Sequence, residues 1–126
     1  NQTIITTTWT KLTWPVKTWD TNNNFATDKF TPTVAGKYIL SVTIYLGNVA
    51  AGTDCQIAVY MNGASEKIGP YVNRVNAGDL ALTMCIEVDA NGTTDYFEAY
   101  IWHSSGGNRD VAGAATNTYF QGSKVT

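Results

Sequence analysis

Between Leu80 and Val88 the apolar residues fall on every second position. Leu82, Met84, Ile86 and Val88 take one side, and Ala81, Thr83, Cys85 and Glu87 the other. A period of two puts successive side chains on opposite faces of an extended chain, and no amphipathic helix tolerates it. The alternation recurs. Lys37 to Leu46 sets Tyr38, Leu40, Val42, Ile44 and Leu46 against Ser41 and Thr43, with Ile39 and Tyr45 making the second side partly apolar. Asp54 to Met61 turns Cys55, Ile57, Val59 and Met61 one way, and Gln56, Ala58 and Tyr60 the other. Asp95 to His103 opposes Tyr96, Glu98, Tyr100 and Trp102 to Phe97, Ala99, Ile101 and His103, and of these Phe97, Ala99 and Ile101 are expected to face inward.

Turn signals separate these segments at short intervals, among them Trp14-Pro15, Asn22-Asn23-Asn24, Ala35-Gly36, Asn62-Gly63, Ala77-Gly78-Asp79 and Ser105-Gly106-Gly107. Short alternating strands between such turns predict an antiparallel sandwich or barrel. With 126 residues and no internal repeat or linker, residues 1–126 are expected to form one domain around one core.

Only 14% of the residues are charged, so Thr, Asn, Ser and Gly must dress the surface. That suits an extracellular or virion-surface protein, or a domain that buries much of itself against identical copies. A net charge of −2 argues against nucleic-acid binding, which needs a basic face. No apolar run reaches the length of a membrane span, so membrane insertion is not expected. Nothing near Asn1 reads as a signal peptide, and a start at Asn rather than Met reads as a trimmed chain.

Cys55 lies on the apolar side of its segment and Cys85 on the polar side of its own, so two separate thiols are expected rather than a disulfide. A single His with no paired Cys spacing excludes a zinc site. His103 is followed by Ser104, but adjacent residues on a strand face opposite ways, so no hydrolytic triad is expected there. An interface or rim position is the expectation for that imidazole. No spacing pairs two carboxylates for glycoside chemistry, and no phosphate-binding loop is present. Calcium is the one metal to weigh, through Asp89, Asn91 and Asp95 or through Asn108 and Asp110; otherwise no cofactor is expected.

Several motifs in order resemble one family. Phe30-Thr31-Pro32-Thr33-Val34-Ala35-Gly36-Lys37-Tyr38 is similar to the F-T-P-x-V-A-G-x-Y signature of the complement C1q/tumour-necrosis-factor-like superfamily. Trp19-Asp20, Val59-Tyr60-Met61-Asn62-Gly63, Asp95-Tyr96-Phe97-Glu98-Ala99-Tyr100 and Tyr119-Phe120-Gln121-Gly122 resemble further motifs of that family. Met61 stands where Lys is usual, and two departures are Thr94 where Gly is usual and the long, Gly- and Ala-rich stretch 104–117, a candidate exposed loop. The resemblance implies a two-sheet antiparallel jelly roll of about ten strands that assembles as a homotrimer. The Asn- and Thr-rich flavour looks more like members in bacteriophage tail and virion proteins than like those of animals.

The large aromatics opposite the expected core, Tyr60, Tyr96, Tyr100 and Trp102, are candidate trimer contacts, because a lone chain offers them little cover. A ligand site is expected on loops gathered at one end: Asn22, Asn23 and Asn24, then Asn48 and Asp54, then Ser105, Asn108, Arg109 and Asp110. The ligand would be a cell-surface glycan or protein receptor, with aromatic rings stacking on sugar faces. The expectation is thus a non-enzymatic head domain. The competing one is a monomeric carbohydrate-binding module attached to an enzyme.

Overall fold

The computed structural model describes residues 1–114 and 116–125. Among them are twelve strands and no helix, so none that could cross a membrane. The strands are β1 (Gln2–Ile4), β2 (Thr10–Lys11), β3 (Phe25–Ala26), β4 (Lys29–Phe30), β5 (Gly36–Val49), β6 (Thr53–Met61), β7 (Ala64–Ile68), β8 (Val72–Arg74), β9 (Gly78–Ala90), β10 (Phe97–His103), β11 (Arg109–Val111) and β12 (Tyr119–Lys124). The count exceeds ten because β2, β3 and β4 are two-residue pieces that the sequence shows only as turn-flanked fragments.

Two antiparallel sheets form a sandwich. In the first, β5 is central, paired along its length with β9 on one edge; β12 and then β11 pair with the other edge, and β1 pairs with β11. In the second, β10 and β6 are central. β2 and the β3–β4 hairpin lie outside β10, and β7 and β8 lie outside β6.

The alternation read from the sequence sets the core. Leu40, Val42, Ile44 and Leu46 of β5 are fully buried against Ile57 and Val59 of β6 and Phe97, Ala99 and Ile101 of β10. Each of the larger aliphatics contributes about 1.5–3 kcal/mol by leaving water. Leu82, Met84 and Val88 of β9 complete that layer, with Ile86 half-buried. Asn62-Gly63 forms the tight β6–β7 turn with both residues at positive φ, 54° and 83°, as the twist of a two-residue hairpin requires.

Cys55 is buried in the core and Cys85 is exposed on the opposite side of the first sheet, so both are free thiols. Burial, with Asp54 adding to it, pushes the Cys55 thiol up to about 11. His103 departs from the rim position expected for it. It is 0% exposed and pairs across the sheet with Cys55, because the parity of β10 carries it inward with Phe97, Ala99 and Ile101.

Candidate functional site

The main concavity is a cleft of about 710 Å³ at the β12 side of the sandwich. One wall is β12. The other is the strandless segment that runs from Trp14 towards Phe25, where Pro15 interrupts extended pairing and an Asx-type cap turns the chain. Asp20 makes that cap. Its carboxylate accepts from the backbone N–H of Asn24 (2.8 Å) and Phe25 (2.9 Å), and from Lys17 Nζ (3.1 Å). Burial alone would raise its pKa, but the two N–H groups and the Lys17 ammonium outweigh that and hold the carboxyl below the usual carboxylate range.

The floor is aromatic. Phe120 packs on Trp14 and edge-on against Phe25, with centroids 5.9 Å apart in both pairs. Trp19 stands at the mouth and is 73% exposed. Polar groups converge on the same space: Asn22 and Asn24 from the turn, and Gln121 and Lys124 from β12. Trp14 Nε1 is buried without a hydrogen-bond partner.

The loop residues proposed from the sequence do not gather at one end. Asn22 and Asn24 line the cleft, with Asn23 turned to Lys17 between them, beside Phe25, which pairs through Phe30 with Phe97 at the start of β10. Asn48, Asp54, Ser105, Asn108, Arg109 and Asp110 sit at the opposite end, where β5 leaves, β6 begins and β10 finishes. The split arises because β3 and β4 join the sheet at the Phe97 end of β10. Only the Asn22–Asn24 group therefore belongs to the cleft.

Most of the residues at the far end bond within the chain, although Arg109 Nε is buried without a partner. The Asp54 N–H donates to Ser104 Oγ (2.9 Å), and its carboxylate accepts from Asn73 Nδ2 (2.8 Å). Asn48, at a β-bulge with φ of 54°, donates its N–H to Asp79 (2.9 Å). Arg109 reaches the Asn108 carbonyl (2.7 Å), and Asp110 accepts from Thr3 Oγ1 (2.8 Å). Ser105 Oγ lies 2.7 Å from His103 Nδ1, a nucleophile–base distance that the sequence reading, looking only at Ser104, overlooked. The pair is not placed for catalysis: the imidazole is fully buried, its Nε2 lies on the Ile4 carbonyl (3.2 Å), and Ser105 Oγ also donates to the Gly107 carbonyl (3.0 Å).

Of the oxygens weighed for calcium, those of Asn91 and Asp95 are engaged within the chain. Asn91 Oδ1 accepts from the N–H groups of Thr93, Thr94 and Asp95. The two Asp95 oxygens accept from Asn62 Nδ2 and the Asn91 N–H. Among the described residues no three His, Cys, Asp or Glu side chains come together as a metal site.

Tyr60, Tyr96, Tyr100 and Trp102 all lie half-buried on the outer face of the second sheet. Cover comes from the chain itself. Tyr60 stacks on Tyr100 at 3.8 Å, Trp9 lies against Tyr60, Tyr71 meets Trp102 edge-on, and Lys29 Nζ sits 4.5 Å from the Tyr96 ring centre. The uncovered face belongs to the first sheet, where Ile39, Ser41, Thr43 and Tyr45 of β5 lie beside Ala81, Thr83 and Cys85 of β9 and Tyr119, Gln121 and Ser123 of β12. Its charges lie at the margins, in the Lys37–Glu87 pair at one end and Asp79 at the other.

Compared with known proteins, the chain matches no family model and no curated protein.

Proposed function

We propose that the chain is a non-enzymatic head domain of the C1q/tumour-necrosis-factor-like jelly-roll kind. In this reading it assembles as a homotrimer outside cells or on a virion surface, as in bacteriophage tail proteins, and binds a glycan or protein receptor. The observation that carries self-association is the outer face of the first sheet, which is nearly uncharged and leaves Ile39, Ala81, Thr83, Cys85, Gln121 and Ser123 exposed. A cyclic trimer needs two different surfaces that fit each other. The exposed apolar strip of Ile68, Tyr71 and Val75 supplies a partner for that face.

The pairing pattern supports the jelly-roll reading. When β7 with β8, and β11 with β12, are each counted as one unit, and β1, β4, β5, β6, β9 and β10 singly, eight units result. First pairs with eighth, second with seventh, third with sixth and fourth with fifth. That is one long antiparallel hairpin rolled around a core. Light scattering tests the assembly: the expected mass is three times 13.7 kDa, and a monomer at micromolar concentration overturns it.

The cleft, with Trp19 at its mouth, also favours the second reading, a monomeric carbohydrate-binding module. That reading predicts glycan-array binding by a monomer, lost in Trp19→Ala.

A further inference from the structure

β11 and β12 both run antiparallel to β5 and cover the same edge of it, β11 at Leu46 and β12 from Thr43 to Tyr38. They are two lengths of a single line, which the chain leaves after Val111 and rejoins at Tyr119. β1 lies outside β11, pairing Gln2 with Val111 and Ile4 with Arg109. Among the described residues no strand lies outside β12.

The ladder tells which groups are left over. The Val125 N–H donates to the Lys37 carbonyl (2.8 Å), which fixes that pair as a hydrogen-bonded one. Stepping back in twos, residues 123, 121 and 119 also turn their main-chain groups to β5. Phe120, Gly122 and Lys124 therefore turn an N–H and a C=O outward, into the cleft. In the facing segment the N–H groups of Trp14, Asn23, Asn24 and Phe25 donate to Asp28 and to Asp20 rather than to β12.

We infer that the β12 edge takes up an extended polypeptide segment as an added antiparallel strand; as a natural partner site this rests on the reading of the domain as a binding head. A row of N–H and C=O groups repeating about every 6.8 Å matches another extended backbone, and a sugar chain has no such repeat. Six residues span the open length of β12. Alternate side chains of the guest would enter the aromatic floor made by Trp14, Phe25 and Phe120, so the segment carries an apolar residue at every second position. The direction follows from β1: Asn1, held by the Gly113 N–H (3.0 Å), borders a small hollow that shares Trp14, Val16 and Thr118 with the cleft. A strand in line with β1 is antiparallel to β12. The edge also lacks the usual protection. β12 bears one charge, Lys124, at its end, whereas the other edge of the sheet, β9, bears Asp79, Glu87 and Asp89.

The test places the peptide Thr-Val-Thr-Val-Thr-Val-Thr ahead of Asn1 on a short Gly-Ser linker, which gives it a high effective concentration. Amide exchange is read residue by residue. The expected result is exchange about tenfold slower at Phe120, Gly122 and Lys124, with little change at Gln121 and Ser123. The control carries Pro in place of each Val, because the guest residues opposite Phe120, Gly122 and Lys124 are the ones whose side chains face the floor, and this removes the N–H groups that face β12. Unchanged exchange in the fusion overturns the inference, and so does equal slowing by the Pro control or by a bound polysaccharide. The mass of the same samples is measured in parallel. A trimer without slowed amides sinks the strand-addition inference alone, and a monomer with slowed amides sinks the trimer alone.

Discussion

The two outer faces of this sandwich solve the same problem in opposite ways. The second sheet puts its largest side chains outward and covers them with its own connections: Trp9 from before β2 and Tyr71 from between β7 and β8. Between them, buried Glu98 is neutralised by Lys11, whose ammonium forms an ion pair with it. The first sheet puts mostly neutral side chains outward, from Ala81 and Ser41 to Ile39 and Tyr119, and leaves much of them exposed; Thr43 and Thr83 bond to each other across β5 and β9 (3.0 Å). A face that supplies its own cover adds to the stability of one chain. One that leaves neutral, partly apolar surface exposed adds little to a single chain and is available to another.

The sharpest way to break this contrast is to charge the uncovered face. Ser41→Arg with Thr83→Glu introduces solvated charges where copies would meet, so the trimer is expected to be lost outright, read as a fall to one-third mass in light scattering. The thermal midpoint of the resulting monomer should match that of dilute unmutated protein. If the charged variant stays trimeric, the contacts lie elsewhere, and Tyr60, Tyr96, Tyr100 and Trp102 return as the alternative. On the other face the expected effect is on the fold. Tyr100→Ala removes a ring stacked at 3.8 Å and should cost about 2–4 kcal/mol in urea unfolding, without changing the oligomeric state. Loss of the trimer in that variant would reverse the assignment of the two faces. A smaller effect is expected from Lys11→Met, which leaves Glu98 at 7% exposure without its partner. About 1–3 kcal/mol should be lost, and the paired Lys11→Met, Glu98→Gln variant should recover part of it.

Much of the fold was legible because β5, β6, β9 and β10 alternate their apolar residues, and in β5 and β9 burial follows that parity almost residue for residue, whereas Gln56, Ala58 and Glu98 of the second sheet are buried against it. What parity does not carry is which outer residues the connections cover. The aromatics of β6 and β10 looked stranded only because Trp9 and Tyr71, far away in sequence, showed no period that tied them to those strands. The cleft was half legible. Asn22 to Asn24 stood out as a turn, but its opposite wall is backbone at a sheet edge, and no side-chain pattern announces an unpaired edge. The loops were placed together wrongly because their end of the sandwich is set by long-range pairing, Phe30 with Phe97 above all. His103 was misplaced for a simpler reason: polarity was weighed above the parity that had already put it inward.

That histidine offers the finest test, because it ties the two sheets together. From β10 in the second sheet it reaches the Ile4 carbonyl of β1 in the first, and Ser105 holds its other nitrogen. Burial lowers its pKa from the ordinary 6.5; the bond to Ile4 opposes the shift, and the Arg109 charge adds to it. The folded protein therefore holds fewer protons than the unfolded chain around that pH, and stability falls as the pH drops through 6.5 towards the lower folded value. The carboxyls held below their ordinary range, Asp20 and Asp79, lose their contribution only below about 3.8, so they leave this window clear. Between about pH 7.5 and about pH 5 the urea midpoint of the unmutated protein should fall, and that of His103→Gln should fall less. In the same interval the amides of β1 and β11 should exchange faster before those of β6, since β1 is the strand the imidazole fastens. An equal acid response in both proteins would mean that His103 is not the titrating tie. Faster exchange in β6 first would mean that the second sheet, for all its own cover, is the one that depends on this contact.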